Sequence, residues 1–258
     1  MQVTWLTPKS RTLHTKRKGK VLNVKYLNIV PGVSAYTDAG RVFSYSVLDT
    51  DADLITKVNE RDEGICKYCG FQASKHQTAH YTGQDPEKQG EAKKPENYVT
   101  ACHYCQQCFY LDQVAMMQSG TIIWLPEIGQ AALNHICRAI YIARITQGPI
   151  ADAARETLDV LLSRKEEAKN RIGTDDVAQL ATVLQDFLEN KEYKNRHSKL
   201  KHLRVLPLDR RIVHEGDLEF NQFPQILSYW RSKDGPFGEI PPRVWAEKFL
   251  EAKGKIKA

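Results

Sequence analysis

The sequence predicts an α+β protein built around a small metal-binding module. Three observations lead there. β-Branched and aromatic runs broken by glycine turns fill the chain before residue 50, two CxxC pairs lie between residues 66 and 105, and apolar residues fall at helical spacing after residue 130. The expected organisation is a β-rich segment over 1–50, a metal-binding domain over 51–147, a helical hairpin region over 150–210 and an extension over 211–258.

With 258 residues, 41% hydrophobic and 26% charged, the chain can bury a core, and wholesale disorder is excluded. Met1–Leu6 shows no basic segment followed by an apolar run, so no secretory signal is expected. No stretch approaches the roughly 18 apolar residues needed to span a bilayer, so direct membrane insertion is not expected either. A cytoplasmic location follows from this reading. There thiols stay reduced, which favours metal ligation over disulfides. The net charge of +6 permits an anionic partner, with local runs at Lys16–Lys20 and Lys253–Lys257, but short runs of this kind are usually solvated.

In order along the chain, Val21–Val30 and Arg41–Leu48 read as strands separated by Pro31-Gly32 and Ala39-Gly40. Thr50 or Asp51 then caps a short helix carrying Leu54, Ile55 and Val58, which Gly64 ends. Residues 84–95 are polar and rich in Gly and Pro, hence a loop, and Asn97–Ala101 is a strand. Thr121–Pro126 is a strand stopped by proline, and Ala131–Ile145 an amphipathic helix with Leu133, Ile136, Ile140 and Ala143 on one face. Gly148-Pro149 marks a boundary. Two more helices are expected over Ala151–Lys169 and Asp175–Lys194, followed by a mixed region and a last helix over Val244–Leu250. The late aromatics Phe220, Phe223, Tyr229 and Trp230 either close the core or dock a neighbour.

Five of the six cysteines sit in Cys66-Lys-Tyr-Cys69, Cys102-His-Tyr-Cys105 and the adjoining Cys108. Two CxxC knuckles present four soft thiolates to one cation, and tetrahedral sulfur selects zinc. The expected ligands of one structural Zn2+ are Cys66, Cys69, Cys102 and Cys105. Cys108, inside the following helix, or His103 are alternatives to a member of that set. Cys137, among apolar residues at helical spacing, reads as core.

The order helix, CxxC, hairpin with a histidine, loop, Asn-x-x-x-x-CxxC, helix resembles an HNH-type ββα-metal endonuclease module. That resemblance implies His80 as general base and Asn97 as the residue orienting the hairpin. The same family pattern places an acidic residue before the histidine and a histidine after the last zinc cysteine, to hold a catalytic cation. This chain has Ala79 and Gln106 there, and neither supplies the charge a hard cation needs. Asp85 and Glu87 are the nearby carboxylates.

Three longer runs are more specific: Cys66–Ala73, Asn97–Phe109 and Gly120–Asn134, the last reading Gly-Thr-Ile-Ile-Trp-Leu-Pro-Glu at its start. Together they resemble the IcmJ (DotN) family of type IVB secretion systems, with a looser likeness over 150–210 that includes Leu203–Pro207. The resemblance implies a non-enzymatic zinc-containing adaptor, a degenerate HNH-like module that binds the C-terminal tail of the coupling ATPase beside other adaptor subunits. It also implies a peripheral place at the cytoplasmic face of the bacterial inner membrane. Trp124 and Ile128 are candidate partner contacts, or simply core. A nuclease or a non-cleaving DNA-binding module is the alternative function; nucleic acid is a secondary expectation.

Overall fold

A computed structural model describes residues 12–17, 20–34, 36–37, 40–41, 51–83, 88, 90–238 and 241–244. Their secondary structure is mixed, helices with small antiparallel two-stranded sheets, as the α+β expectation requires. Two hairpins, β1 (Thr12–Arg17) with β2 (Lys20–Lys25) and the two-residue β3 (Tyr36–Thr37) with β4 (Gly40–Arg41), come first. The strand expected over 41–48 lies outside the described residues apart from Arg41. The run 253–257, Asp85, Glu87 and most of the last expected helix also lie outside them.

Helix α1 (Ala52–Arg61) opens on Asp51, whose carboxylate accepts the Asp53 amide at 2.9 Å. Its apolar face, Leu54 and Val58, packs on the hairpin of β5 (Gln77–Tyr81) and β6 (Tyr98–Cys102), together with Ala79, Tyr81 and Tyr98. The helix stops at Asp62, two residues before Gly64. Asp62 is buried and accepts from the Arg61 guanidinium, the Thr100 amide at 2.8 Å and Lys67 at 3.1 Å. It thereby ties helix end, first knuckle and β6 into one block, and these hydrogen bonds hold its carboxyl below the ordinary range despite its burial.

After β6 come the one-turn α2 (His103–Gln106), a 3-10 turn over Gln107–Phe109 that carries Cys108, and α3 (Leu111–Met116). Strand β7 (Gly120–Trp124) pairs antiparallel with β8 (Leu203–Pro207), some 80 residues later, with Ile122 opposite Val205 and Trp124 opposite Leu203. Successive residues of a strand point to opposite faces. Here both faces are covered: Ile123 and Leu206 enter the main core, while Ile122, Leu203 and Val205 enter a second one. That is why both strands read as nearly continuous apolar runs.

Helices α4 (Gln130–Arg144) and α5 (Pro149–Ile172) follow, the latter closed by Gly173 at φ +82°. α6 (Val177–Asp186) begins at Asp176, which accepts the Ala178 amide at 2.8 Å. The single helix expected over 175–194 is broken at Phe187–Glu189. Glu189 and Glu192 form a reciprocal capping box that starts a new helix, α7 (Asn190–Lys194), and α8 (Arg196–Lys199) follows. The mixed region beyond β8 resolves into a hairpin of β9 (Ile212–Glu215) and β10 (Leu218–Asn221), turned by Gly216 at φ +59°, and then α9 (Phe223–Arg231). Phe223 and Trp230 are buried in the main core and the Tyr229 hydroxyl bonds Ser74, so three of the four late aromatics close the protein's own interior.

Residues 26–34 run as a strap across these parts. The Leu27 amide donates to Lys67 O, the Gly32 amide to Cys108 O, and the Val33 amide to the Tyr193 hydroxyl, while Arg196 donates to Pro31 O at 2.7 Å. A Cβ on Gly32 would stand 2.6 Å from the Tyr193 hydroxyl oxygen, so only glycine fits this crossing.

Candidate metal centre

The first knuckle is a tight turn in which the Gly70 amide returns to Cys66 O at 2.8 Å, with Gly70 at φ +76° under the Tyr26 ring. The second is the junction of β6 with α2, which places Cys105 one helical turn beyond Cys102. The hairpin register and the Lys67 amide's bond to Thr100 O set the knuckles face to face. As a result the sulfurs of Cys66, Cys69, Cys102 and Cys105 all lie within 4.8 Å of one another, each buried.

The spacing is that of ligands, not of disulfides. Cys69 Sγ and Cys102 Sγ are 3.7 Å apart, against about 2.05 Å for a disulfide. A tetrahedron with metal–sulfur bonds of about 2.3 Å has edges of about 3.8 Å. The four cysteines can therefore hold one metal ion.

Helix α4 supplies what surrounds them. Asn134 Nδ2 donates to Cys105 Sγ at 3.3 Å, Arg138 Nη2 donates to Cys102 Sγ at 2.6 Å, and His135 Nε2 lies 2.8 Å from Cys69 O. Arg138 is 1% exposed, its guanidinium lies 4.0 Å from the Phe71 ring centre, and no carboxylate pairs with it among the described residues. A buried cation needs a counter-charge nearby. Burial works against Arg138's charge, and Cys102, Cys69 and Cys105 more than offset it.

The same electrostatics act on the thiols. Hydrogen bonds from Cys102, Cys105 and Cys66 hold Cys69 well below the ordinary thiol value, whereas burial pushes Cys102 and Cys105 well above it. Four thiolates in so small a volume repel one another, and one arginine offsets a single charge. A divalent cation at the centre removes two more, so the donor set fits a metal such as zinc in both geometry and charge.

The remaining cysteines behave differently. Cys108 is fully buried and donates to Tyr104 O at 3.3 Å, outside the cluster, and burial pushes its thiol above the ordinary value. Cys137 is core, its thiol pushed up to about 12. His103, half-buried with its Nδ1 enclosed and unpartnered, also stands apart from the four sulfurs.

His80 occupies β5 on the face opposite α1. Its ring stacks on Phe109 at 4.3 Å, meets Tyr68 and Tyr110 edge-on, and its Nδ1 lies 3.0 Å from the Tyr110 hydroxyl. Burial alone lowers its pKa to about 3, so the imidazole is neutral. Ala79 is buried against Leu54 and Val58, and Gln106 donates to Thr78 Oγ1 at 3.0 Å. Asn97 donates to Glu91 Oε2 at 2.8 Å and its carbonyl accepts the Thr82 amide, which joins the two ends of the hairpin loop. Trp124 and Ile128 are half-buried, the former between Arg171 and His202.

Sequence reasoning missed Arg138, Asn134 and His135. The signal was present, since Asn134 and Arg138 stand four apart on the side of α4 that also carries Leu133 and Cys137. Polar residues at core positions of an amphipathic helix ask for a buried partner.

The fold and site define an α+β protein in which a buried four-cysteine cluster braces a hairpin and its following helices. No protein-family model matches the chain. A 155-residue stretch is 32% identical to the type 4 apparatus protein DotN of Legionella pneumophila, covering 58% of this chain and 70% of that relative. The chain belongs to the DotN (IcmJ) family.

Proposed function

We propose that the protein is a non-enzymatic, zinc-containing adaptor subunit of a type IVB secretion or related conjugation coupling complex. In this reading Cys66, Cys69, Cys102 and Cys105 hold one structural Zn2+, and the β5–β6 hairpin with its helices is a degenerate HNH-like module. The protein binds the C-terminal tail of the coupling ATPase, sits beside other adaptor subunits at the cytoplasmic face of the inner membrane, and helps to recruit effectors. What carries the reading is the family relationship taken together with the surroundings of His80. A general base must reach the proton it abstracts and titrate near the working pH. His80 is buried among Tyr68, Phe109 and Tyr110, is neutral, and has Ala79 and Gln106 where cation ligands would stand. No helix among the described residues is long and apolar enough to cross a membrane. Attachment through partners agrees with that.

The deciding experiment mixes the purified protein with the coupling-ATPase tail and follows co-elution in size-exclusion chromatography at low and moderate salt. A stable complex in both is the expected result. Absence of a complex at either salt, or divalent-metal-dependent nicking of plasmid DNA that vanishes in His80→Ala, would overturn the adaptor reading.

A further inference from the structure

We infer that the segment from the end of α6 through α8 is a binding surface for anionic phospholipid, on which the protein rests without inserting a helix. In α7, α8 and the residues up to β8, the buried side chains are Tyr193, Arg196, Leu200 and Leu203. Their spacing of three or four places the intervening residues on the outward side. There Lys191, Lys194, Lys199 and Lys201 are all exposed, with His197 among them.

Three acids, Asp186, Glu189 and Glu192, share the segment 183–201, and Glu189 and Glu192 are engaged with each other's backbone in the capping box at the start of α7. None of the four lysines forms an ion pair among the described residues. The field continues beyond them. His202 is held below its ordinary pKa by burial and by Lys201, Arg204 and Arg171.

The second half of the surface is apolar. Val183 and Phe187 stand four residues apart at the end of α6, 47% and 74% exposed, the latter at the C-cap. A solvated polar face has no use for an exposed phenyl ring. Four unpaired lysines beside exposed Val and Phe match the interfacial pattern in which cations meet headgroups and rings enter the acyl boundary. Nucleic acid fits less well, because the phosphodiester backbone gains nothing from Val183, and the segment offers one aromatic where base stacking uses several. A peptide fits less well too, for these residues line neither the cleft between α3, β7 and α6 nor the cleft beside Arg211. A broad anionic surface needs no groove.

The test uses the full chain with zinc and does not depend on the ATPase tail, so its failure leaves the adaptor reading standing. Co-sedimentation is measured with phosphatidylcholine vesicles and with vesicles containing phosphatidylglycerol, at low and high salt. Binding to the anionic vesicles alone, weakened by salt, is expected. Lys194→Glu/Lys199→Glu/Lys201→Glu should lower the partition coefficient by more than about 100-fold, since loss of each surface lysine alone accounts for roughly fivefold and the glutamates add repulsion. A matching Lys→Gln triple serves if the Glu version unfolds. Phe187→Ser should lower partitioning severalfold while leaving the salt dependence unchanged. No sedimentation of the folded protein at low salt, equal binding to neutral vesicles, or variants that bind like the parent would overturn the proposal. So would duplex DNA that binds more tightly than the vesicles through the same lysines.

Discussion

The four-cysteine cluster and the surroundings of His80 share one hairpin, yet they are built in opposite ways. Around the sulfurs, Arg138 and Asn134 direct donors inward from a helix some 30 residues downstream. Around His80 three aromatic rings close in and one hydroxyl remains, that of Tyr110. The first environment stabilises negative charge and so invites a cation. The second penalises any charge at all. One hairpin can thus carry a site whose electrostatics favour a cation next to one that favours no charge.

That contrast breaks most visibly at the cysteines. Cys66→Ser or Cys102→Ser should lose the bound zinc and with it the cooperative melt, because structural zinc contributes about 10–16 kcal/mol to folding in small sites. Cys108→Ser, whose hydroxyl can still reach Tyr104 O, should keep both. Elemental analysis and thermal unfolding read the two outcomes. A soluble Cys66→Ser with a full-length melt would remove the structural role of the metal.

Arg138→Met sharpens the same point at a smaller scale. With thiolates and a divalent ion, deleting the guanidinium leaves an uncompensated buried charge and should cost about 3–5 kcal/mol. With four neutral thiols, methionine would be neutral or stabilising. Chemical denaturation of the metal-loaded variant decides between them.

For His80 the effect lies in pH. The folded imidazole stays neutral down to about 3, whereas the unfolded one takes a proton near 6.5. Stability is therefore complete above about pH 6.5 and is lost as pH falls from there toward 3, at about 1.4 kcal/mol per unit. Between about pH 6.5 and 5 the parent should lose about 2 kcal/mol more than His80→Phe. Equal stability losses in parent and variant, read from urea denaturation at the two pH values, would show that His80 is reached by water and able to titrate.

Much of the centre was legible in the sequence because its ligands come as local pairs. CxxC spacing alone places two sulfurs on one turn, while the Cys102-Cys105-Cys108 ladder and His103 left the second pair open until the structure set Cys108 and His103 apart from the cluster. What surrounds the ligands was less legible, since Arg138 and Asn134 join the site only through the packing of α4. The pairing of β7 with β8 had no local signal at all: Leu203–Pro207 is short, and its partner lies some 80 residues upstream. The break at Phe187 carried little signal, because the reciprocal capping box of Glu189 and Glu192 has a glutamate where the usual signature has Ser or Thr. The turn Glu215-Gly-Asp-Leu218, by contrast, carried a hairpin signature.

The strap over 26–34 sets an order of events during synthesis. Its residues leave the ribosome long before the groups that hold them, Cys108 O, the Tyr193 hydroxyl and the Arg196 guanidinium. The four thiols are all available once residue 105 has emerged, so metal capture can precede the docking of the strap by some 90 residues of translation. Leu27 and Tyr26 can settle on Lys67 and Gly70 as soon as the first knuckle has emerged, so the N-terminal segment closes from that end, and its 31–33 end, which needs Tyr193 and Arg196, docks last.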